Sequence, residues 1–322
     1  MMTRQWLSYL TIALFGLGGS ELLAADKIRI AVANFNVSFM MTGVAAKKGF
    51  FRDEGLEPEI IAMRPPVSIT ALASGDIDYT TVFGSVVRAA VRGLPVRVVA
   101  SFIDGSTHAL MARQEFKAVK DLRGRTMGVG SYGASDDISA RMMVRHHGVD
   151  PDKQMKIVAL GSDRARFAAL KEGIVDATVV APPVDSEGRK AGFNILARAY
   201  EIFTFPFVGL GTSVKKITER PDEVKRTIKA LVRANRFIRD NRDESIQILA
   251  QWGRSERSAA AAAYDSSVKV FNVDGAIPES GLRLVLDQAK AEANLSRELA
   301  VAEVAELSLL RDAQKELGIK GR

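Results

Sequence analysis

One sequence pattern occurs twice in the chain and restricts what the chain can fold into. Residues 71–82 read ALASGDIDYTTV and residues 169–180 read ALKEGIVDATVV, so both copies fit the pattern A-L-x-x-G-x-x-D-x-T-x-V. Each copy predicts the end of a helix, a glycine cap, an aspartate turn and then a buried strand. A repeated unit of this kind indicates that the chain is built from two similar halves.

The residues around the pattern repeat in the same order, because Gly55-Leu56-Glu57-Pro58 matches Gly148-Val149-Asp150-Pro151. Short apolar runs alternate with amphipathic segments, which predicts two mainly parallel sheets with flanking helices, an α/β fold. From Pro221 to about Gly318 the pattern is almost entirely helical, so a helical C-terminal region follows the two halves. The predicted strands lie near residues 28–33, 58–63, 78–83, 96–102, 126–130, 155–160, 176–181 and 194–198.

The first residues have the features of a secretory signal. Arg4 is followed by an apolar stretch from Trp6 to Leu17, and Leu23-Ala24-Ala25 ends in the small residues that a signal peptidase requires. We therefore expect a cleavable signal peptide over residues 1–25 and a periplasmic protein. The apolar stretch is shorter than the ~20 residues of a membrane span. The chain contains no cysteine, so the signal is not of the lipoprotein type.

Composition excludes several classes of function. The formal net charge is +7, but the lysines and arginines are spread along the chain rather than clustered, so we expect no binding to nucleic acid. Zero cysteines exclude disulfides, thiolate chemistry and cysteine metal sites. His146 and His147 have no nearby histidine or carboxylate at a metal-ligand spacing, so we predict neither a metal nor another cofactor.

The candidate binding residues lie in turns that follow equivalent strands. Ligands of open α/β sheets bind beyond the carboxyl ends of the strands, where helix N-termini present free N–H groups. Residues 34–39 match residues 130–135 in this respect, and residues 83–85 match residues 181–183. The serines have an alternative role as helix N-caps. The candidates are Asn36, Ser38, Phe39, Phe83, Gly84, Ser85, Ser131, Tyr132, Ser135, Pro182 and Pro183.

Charged residues near these turns leave the ligand's charge open. Arg64 and Arg164 follow equivalent strands, and either is suited to hold a carboxylate, sulfonate or phosphate. We favour Arg164, because Ser162-Asp163 reads as a helix start, although a solvated loop arginine is the alternative. Asp136 and Asp137 either complement a helix dipole or, if they face the cleft, favour an amine or hydroxyl ligand. His108 is either structural or a hydrogen-bonding ligand residue.

Several short motifs together are typical of one known family. They are Gly49-Phe50-Phe51, Glu54-Gly55-Leu56, Ala71-Leu72, Ser74-Gly75-Asp76-Ile77-Asp78, Gly93-Leu94-Pro95-Val96, Asp121-Leu122-Arg123-Gly124, Gly173 and Val175-Asp176-Ala177. Through these motifs, residues 28–200 resemble the type II periplasmic-binding-protein fold, in the group of nitrate, sulfonate and taurine binding proteins that is also similar to the yeast thiamine-precursor synthase (NMT1/THI5-like). The resemblance implies two lobes joined by crossover strands near Ala109–Glu115 and Phe205–Gly211. It implies lobe 1 over residues 26–114, lobe 2 over 115–205, and a return to lobe 1 with the C-terminal helices over 206–322.

The resemblance also implies a function. It predicts a monomeric solute-binding protein that captures a small polar or anionic organic molecule between its lobes and delivers it to the permease and ATPase of an ABC importer. One alternative is an enzyme like the pyrimidine-forming synthase, whose chemistry depends on a histidine and a cysteine-rich stretch; the absence of cysteine here disfavours it. A second alternative is a binding protein that serves a sensor rather than a permease.

Overall fold

The computed structural model describes residues 25–203 and 205–320, so the predicted signal peptide lies outside the described residues except for Ala25. Two five-stranded sheets, each flanked by helices, confirm the predicted α/β class. The strands are β1 (Asp26–Val32), β2 (Leu56–Ala62), β3 (Tyr79–Thr80), β4 (Val96–Ile103), β5 (Ala109–Ala112), β6 (Thr126–Val129), β7 (Lys156–Ala159), β8 (Ala177–Val180), β9 (Asn194–Arg198) and β10 (Val208–Ser213).

The two sheets have the same topology. Their strand orders are β2-β1-β3-β10-β4 and β7-β6-β8-β5-β9, and the second order follows from the first when each strand is replaced by its repeat partner. All eight strands predicted from the sequence are present, within a few residues of the expected bounds. The repeat in the sequence is therefore a repeat in the fold.

The equivalent residues of the repeat have equivalent structural roles. Gly75 and Gly173 end their helices with φ of 86° and 72°, a left-handed conformation that glycine adopts without strain. A carboxylate oxygen of Asp78 accepts a hydrogen bond from the backbone N–H of Arg29 in β1 at 2.7 Å. Asp176 accepts one from the N–H of Thr126, the matching residue at the start of β6, at 3.0 Å. Each aspartate thus fixes its turn to the first strand of its own half.

One strand of each sheet comes from the segment that joins the halves. β5 pairs antiparallel with β8 and β9, and β10 pairs antiparallel with β3 and β4. β5 lies within the first predicted crossover, and β10 overlaps the second and extends two residues beyond it, to Ser213. Each sheet is therefore mixed, with two parallel and two antiparallel pairings, rather than mainly parallel as predicted. The cause is that β5 and β10, which we call the exchanged strands, run opposite to the other strands of their sheets.

Fifteen helices lie within the described residues. They are α1 (Met40–Lys47), α2 (Phe50–Asp53), α3 (Pro65–Ser74), α4 (Phe83–Val91), α5 (Ser135–His146), α6 (Pro151–Gln154), α7 (Asp163–Lys171), α8 (Val184–Lys190), α9 (Ala199–Ile202), α10 (Val214–Glu219), α11 (Pro221–Asp240), α12 (Arg242–Trp252), α13 (Arg257–Ser267), α14 (Glu279–Glu292) and α15 (Ser308–Glu316). Pro221 begins α11 with two acidic residues in the first turn, as the sequence predicts. None of the described helices is long and apolar enough to cross a membrane.

We name the two units by their sheets: lobe 1 is residues 25–103 and 208–320, and lobe 2 is residues 109–203. The core of lobe 1 contains residues from β1 and β4 together with Leu231, Leu286 and Leu310 of the C-terminal helices. Lobe 2 has two smaller clusters on the faces of its sheet. The chain changes sheet before Ala109, whereas the predicted lobe boundary places Ala109–Ala112 in lobe 1. The difference arises because this short apolar run pairs with β8.

Gly209 tests the packing of the exchanged strand β10. A Cβ atom at this position would lie 2.2 Å from the carbonyl oxygen of Ala100 and 2.6 Å from the ring of Phe83, and a backbone oxygen inside a sheet has little room to move. We expect Gly209→Ala to lower the free energy of unfolding by about 1–3 kcal/mol, measured by urea denaturation.

Gly84 in α4 is the matched control. Its added Cβ would first meet the guanidinium of Arg88 at 3.4 Å, an ordinary contact. Alanine also favours a helix over glycine by about 1 kcal/mol. Gly84→Ala should therefore leave stability unchanged or raise it. Equal destabilisation by both substitutions would contradict this description of β10.

Candidate functional site

A cavity of about 320 Å³ lies between the two lobes, where the carboxyl ends of equivalent strands face each other. Lobe 1 contributes residues after β1 and β2, lobe 2 contributes residues after β6 and β7, and the two connections between the lobes contribute one residue each. The lining residues are Ala33, Asn34, Phe35, Asn36, Phe39, Ala62, Met63, Arg64, Pro65, His108, Gly130, Ser131, Ser135, Asp136, Gly161, Ser162, Arg166 and Phe207.

Four of the candidate residues line this cavity: Asn36 and Phe39 from lobe 1, and Ser131 and Ser135 from lobe 2. The structure brings the two turns, residues 34–39 and 130–135, to opposite sides of one crevice. Ser135 does not cap its helix, because Ala134 holds the N-cap position of α5 without a side-chain cap bond. The hydroxyls of Ser131 and Ser135 have no hydrogen-bond partner among the described residues, so both are available to a ligand.

Other candidates are buried outside the cavity. Phe83 and Gly84 lie in the core of lobe 1, because α4 packs directly against β10. Ser38 is buried and its hydroxyl is hydrogen-bonded to that of Thr107. Pro182 accepts a hydrogen bond from the backbone N–H of Val37 at 3.3 Å and is joined to Pro183 by a cis peptide bond. Both prolines therefore lie where the lobes meet, rather than in the cavity wall.

The remaining candidates face other directions. Arg164 makes an ion pair with Glu187 at 2.8 Å and lies at the surface. Ser85 and Tyr132 line a neighbouring cavity, on the other side of Pro65. The hydroxyl of Tyr132 donates to the carbonyl oxygen of Ile157 at 3.2 Å, which turns the ring away from the cleft.

Arg166, rather than Arg164, is the arginine of lobe 2 that reaches the cavity. Only 1% of its surface is exposed. Its Nε donates to the carbonyl oxygen of Val179 at 2.7 Å, and its guanidinium also bonds Gly161 O and the Asp163 carboxylate. Ser162 caps α7 by accepting from the N–H of Ala165, so the helix start was predicted correctly and the inward-facing position lies two residues further along.

Two carboxylates neutralise Arg166 within the cavity wall. Asp163 pairs with its Nη2, and Asp136 Oδ2 lies 3.5 Å from its Nη1. Asp136 also accepts a hydrogen bond from the backbone N–H of Gly130. A Cβ atom at Gly130 would lie 2.5 Å from Asp136 Oδ2 and 2.7 Å from Arg166 Nη1, so this close approach requires a glycine. Asp136 therefore faces the cleft, and it shares the charge of Arg166 with Asp163.

A hydrogen bond between the lobes lies in the wall of the cavity, and contacts within lobe 1 support it. Asn36 Nδ2 donates to Asp163 Oδ2 at 2.7 Å, and both side chains are buried. The indole N–H of Trp252 donates to the carbonyl oxygen of Asn36 at 3.0 Å. Trp252 also meets the ring of Phe35 edge-on, with ring centroids 4.7 Å apart. The rim of lobe 1 is thus fixed to α7 of lobe 2.

Arg64 is the second cation of the cavity. It immediately precedes α3, is exposed, and has no ion-pair or hydrogen-bond partner for its side chain among the residues described. Its position after β2 was identified in the sequence but not selected. Phe207 and Met63 were not identified, because nothing distinguishes an apolar residue that lines a cleft from one that lies in the core.

His108 lies in the first connection between the lobes and lines the cavity. Its Nδ1 is 3.1 Å from Ser106 Oγ, which is itself 2.8 Å from Ser139 Oγ of α5. The imidazole meets Phe207 of the second connection edge-on, with ring centroids 5.1 Å apart. Burial lowers the pKa of His108 to about 4, although the Asp136 and Asp163 carboxylates oppose this shift. The ring is therefore neutral at physiological pH.

The comparisons with known proteins identify the family. A family model described as NMT1/THI5 like matches residues 36–245, more than half of the chain. The chain belongs to the NMT1/THI5-like family. No cluster of three or more histidine, aspartate or glutamate side chains that could hold a metal ion occurs in the part of this family member that the structure describes.

Curated relatives of this family member include binding proteins and a synthase. It is 23% identical over 223 residues to a putative binding protein of Brucella abortus, covering 68% of this chain and 69% of that one. It is 26% identical to the riboflavin-binding protein RibY of Chloroflexus aurantiacus, covering 67% and 63%. It is 24% identical to 4-amino-5-hydroxymethyl-2-methylpyrimidine phosphate synthase of Candida albicans, covering 59% and 60%.

Solved structures confirm the two-lobed periplasmic-binding-protein fold. A protein from Bordetella bronchiseptica RB50 matches with a TM-score of 0.78 at 22% identity, over 92% of this chain and 99% of that one. The alkanesulfonate-binding protein SsuA from Xanthomonas axonopodis, bound to MOPS, matches with a TM-score of 0.70 at 19% identity, over 90% and 98%. At these identities the likeness establishes the fold alone.

The lowered pKa of His108 predicts a pH-dependent stability. Because its pKa in the folded protein, about 4, lies below the ordinary value of 6.5, the unfolded chain binds more protons between these pH values. The stability that the neutral His108 ring contributes is present above pH 6.5 and is lost as the pH falls towards 4. We expect a loss of about 2 kcal/mol between pH 7 and pH 5, measured by urea denaturation.

The variant His108→Gln is the control, since it keeps a polar side chain that does not titrate. It should lose about 2 kcal/mol less than the parent over the same pH interval. An identical pH dependence in both proteins would show that His108 does not titrate with the lowered pKa.

Proposed function

We propose that this protein is an extracytoplasmic solute-binding protein that captures a small organic molecule between its lobes for an ABC importer. The observation that carries the proposal is the cavity itself: equivalent turns of a duplicated fold form its two walls, and the two connections between the lobes form its floor. A volume of about 320 Å³ is at the lower end of the range for small-molecule sites. The binding proteins among the relatives support the same function.

The polar groups of the cavity favour a ligand with a hydrogen-bond donor. Asp136 presents a carboxylate to the cavity, and Ser131 and Ser135 present hydroxyls that donate or accept. The buried cation Arg166 is already paired with two carboxylates, so it does not favour a deeply buried anion. Phe39, Phe207 and the neutral ring of His108 provide flat apolar walls. A polar molecule with a planar part fits these groups best.

Arg64 supports a second possibility for the end of the ligand that faces solvent. Its guanidinium lies at the opening of the cavity without an ion-pair partner among the described residues. A carboxylate or sulfonate at that end of the ligand would therefore meet a free cation. The proposed ligand is polar, with any anionic group directed towards Arg64 rather than towards Arg166.

We further propose that the protein is a binding protein and not an enzyme like the pyrimidine synthase to which it is related. The chain contains no cysteine and three histidines. His108 is neutral and buried against Phe207, while His146 and His147 lie at the end of α5, outside the cavity. The proposal includes export to the periplasm by the signal peptide, action as a monomer, and partnership with a permease and an ATPase.

Trp252 provides a direct assay of ligand capture. It is the one tryptophan after residue 25, and it contacts Phe35 and Asn36 at the cavity rim. A thermal-shift screen against sulfonates, aromatic carboxylates, nitrate, amines, pyrimidines and flavins should reveal a ligand. At a free concentration of 100 times its dissociation constant, a ligand adds about 2.7 kcal/mol to the free energy of unfolding. The same compound should change the fluorescence of Trp252, and turnover of the compound would contradict the binding function.

The double variant Ser131→Ala with Ser135→Ala tests the assignment of the cavity. Each lost hydrogen bond costs about 0.5–1.5 kcal/mol, so the pair should weaken binding by about 10-fold or more. The melting temperature of the ligand-free protein should stay nearly constant, because neither hydroxyl has a partner among the described residues.

Ser296→Ala is the control, because Ser296 is exposed and lies outside the cavity. It should bind the ligand as the parent does. Unchanged affinity in the double variant would place the ligand elsewhere. A large loss of stability in the ligand-free double variant would instead indicate that the two serines are structural.

A further inference from the structure

A second cavity, of about 290 Å³, lies beside the first and is also formed by both lobes. Helices α3, α4 and α14 of lobe 1 form most of its wall, and residues 132–134 of lobe 2 form the rest. The residues that matter here are Ser85, Arg88, Arg92, Tyr132 and Glu292. Ser85 and Tyr132, which the sequence placed in the ligand site, both line this second cavity.

Arg88 is a buried cation with unused donors. Only 8% of the residue is exposed. Its Nη2 donates to Ser85 Oγ at 3.1 Å, and its Nε is 3.8 Å from Glu292 Oε2, which is too long for a hydrogen bond. Its Nη1 has no partner among the described residues. A guanidinium has five N–H donors, so most of those of Arg88 remain available to a molecule in the cavity.

The charges around the cavity are unbalanced. Arg92 is exposed, lines the same cavity, and has no ion pair among the described residues. Burial lowers the pKa of Arg88, and the nearby charge of Arg92 lowers it further, while Glu292 opposes the shift. Two cations therefore face one carboxylate, and that carboxylate is partly exposed to water.

The other carboxylates near Arg88, those of Asp136 and Asp137, already have hydrogen-bond or ion-pair partners. Asp137 accepts from Arg141 Nε at 2.7 Å and from the backbone N–H of Gly133 at 2.8 Å. Asp136 pairs with Arg166 in the wall of the first cavity. The net positive charge at Arg88 and Arg92 is therefore not cancelled from the side of lobe 2.

We propose that this second cavity binds a small oxyanion, a carboxylate, sulfonate or phosphate group, between Arg88 and Arg92. The planar guanidinium of Arg88 is suited to bind two oxygens of such a group, and the Ser85 hydroxyl has a hydrogen to donate because it accepts from Arg88. The site goes beyond the proposed transport function, because it does not require that the first cavity holds a solute. The groups that hold the oxyanion all belong to lobe 1, and residues 132–134 of lobe 2 border the cavity.

Sulfate is the probe for this site. The melting temperature of the protein is measured against sodium sulfate, with sodium chloride at the same ionic strength as the reference. Sulfate should stabilise the parent more than chloride does. Arg88→Gln and Arg92→Gln should each weaken the apparent sulfate affinity, by about tenfold or more for Arg88 because charged hydrogen bonds are lost. Glu292→Gln should act in the opposite direction and strengthen sulfate binding.

Two controls separate binding at this site from a general effect of surface charge and from binding in the first cavity. Arg311→Gln removes an exposed arginine on α15 that does not line the cavity, and its sulfate response should equal that of the parent. The double variant Ser131→Ala with Ser135→Ala should also keep the sulfate response, which distinguishes this cavity from the first. If Arg88→Gln does not fold, the proposal is still tested by the other two variants, since Arg92→Gln should weaken sulfate binding and Glu292→Gln should strengthen it. Identical sulfate responses in those two variants would overturn the proposal.

Discussion

The buried carboxylate of Asp163 joins the two lobes, and the geometry of the cleft depends on it. It accepts hydrogen bonds from Asn36 of lobe 1 at 2.7 Å, from the backbone N–H of Ala181 at 3.2 Å, and from Arg166 on its own helix. A buried charge without such partners would cost several kcal/mol. This arrangement of the lobes therefore requires Asn36 and Arg166 to be in place together, which fixes the rim of lobe 1 against the start of α7.

This arrangement also determines what the cleft is able to bind. Because Arg166 is paired with two carboxylates, Asp163 and Asp136, the inner wall carries no excess positive charge and offers directional hydrogen bonds. Cations with unused donors lie elsewhere: Arg64 is exposed in the first cavity, and the buried Arg88 and the exposed Arg92 line the second cavity. The protein thus separates a polar inner site without excess positive charge from the positively charged groups of Arg64, Arg88 and Arg92, and each can recognise a different part of a solute or a different solute.

Most of the fold could be predicted from the sequence, because the repeat fixes the order of four strands in each half. The exchanged strands β5 and β10 were expected as crossovers, but their antiparallel pairing depends on contacts far apart in the chain. The site was harder to predict. The turns after β1 and β6 do meet, yet Arg166 rather than Arg164 faces inward, and Tyr132 turns outward to bond Ile157. Which face of α7 turns inward, and where Tyr132 points in its turn, depend on tertiary partners that local sequence does not specify.

Capture of a solute between the two lobes is the central claim, and the change in the distance between the lobes when a solute binds tests it most directly. The chain has no cysteine, so Lys47→Cys on α1 and Lys153→Cys on α6 allow one spin label on each lobe. The distance is measured by electron paramagnetic resonance, with and without the compound that raises the melting temperature most. We predict a shift to a single, shorter distance when the compound binds. The same distance distribution in both samples would contradict the account.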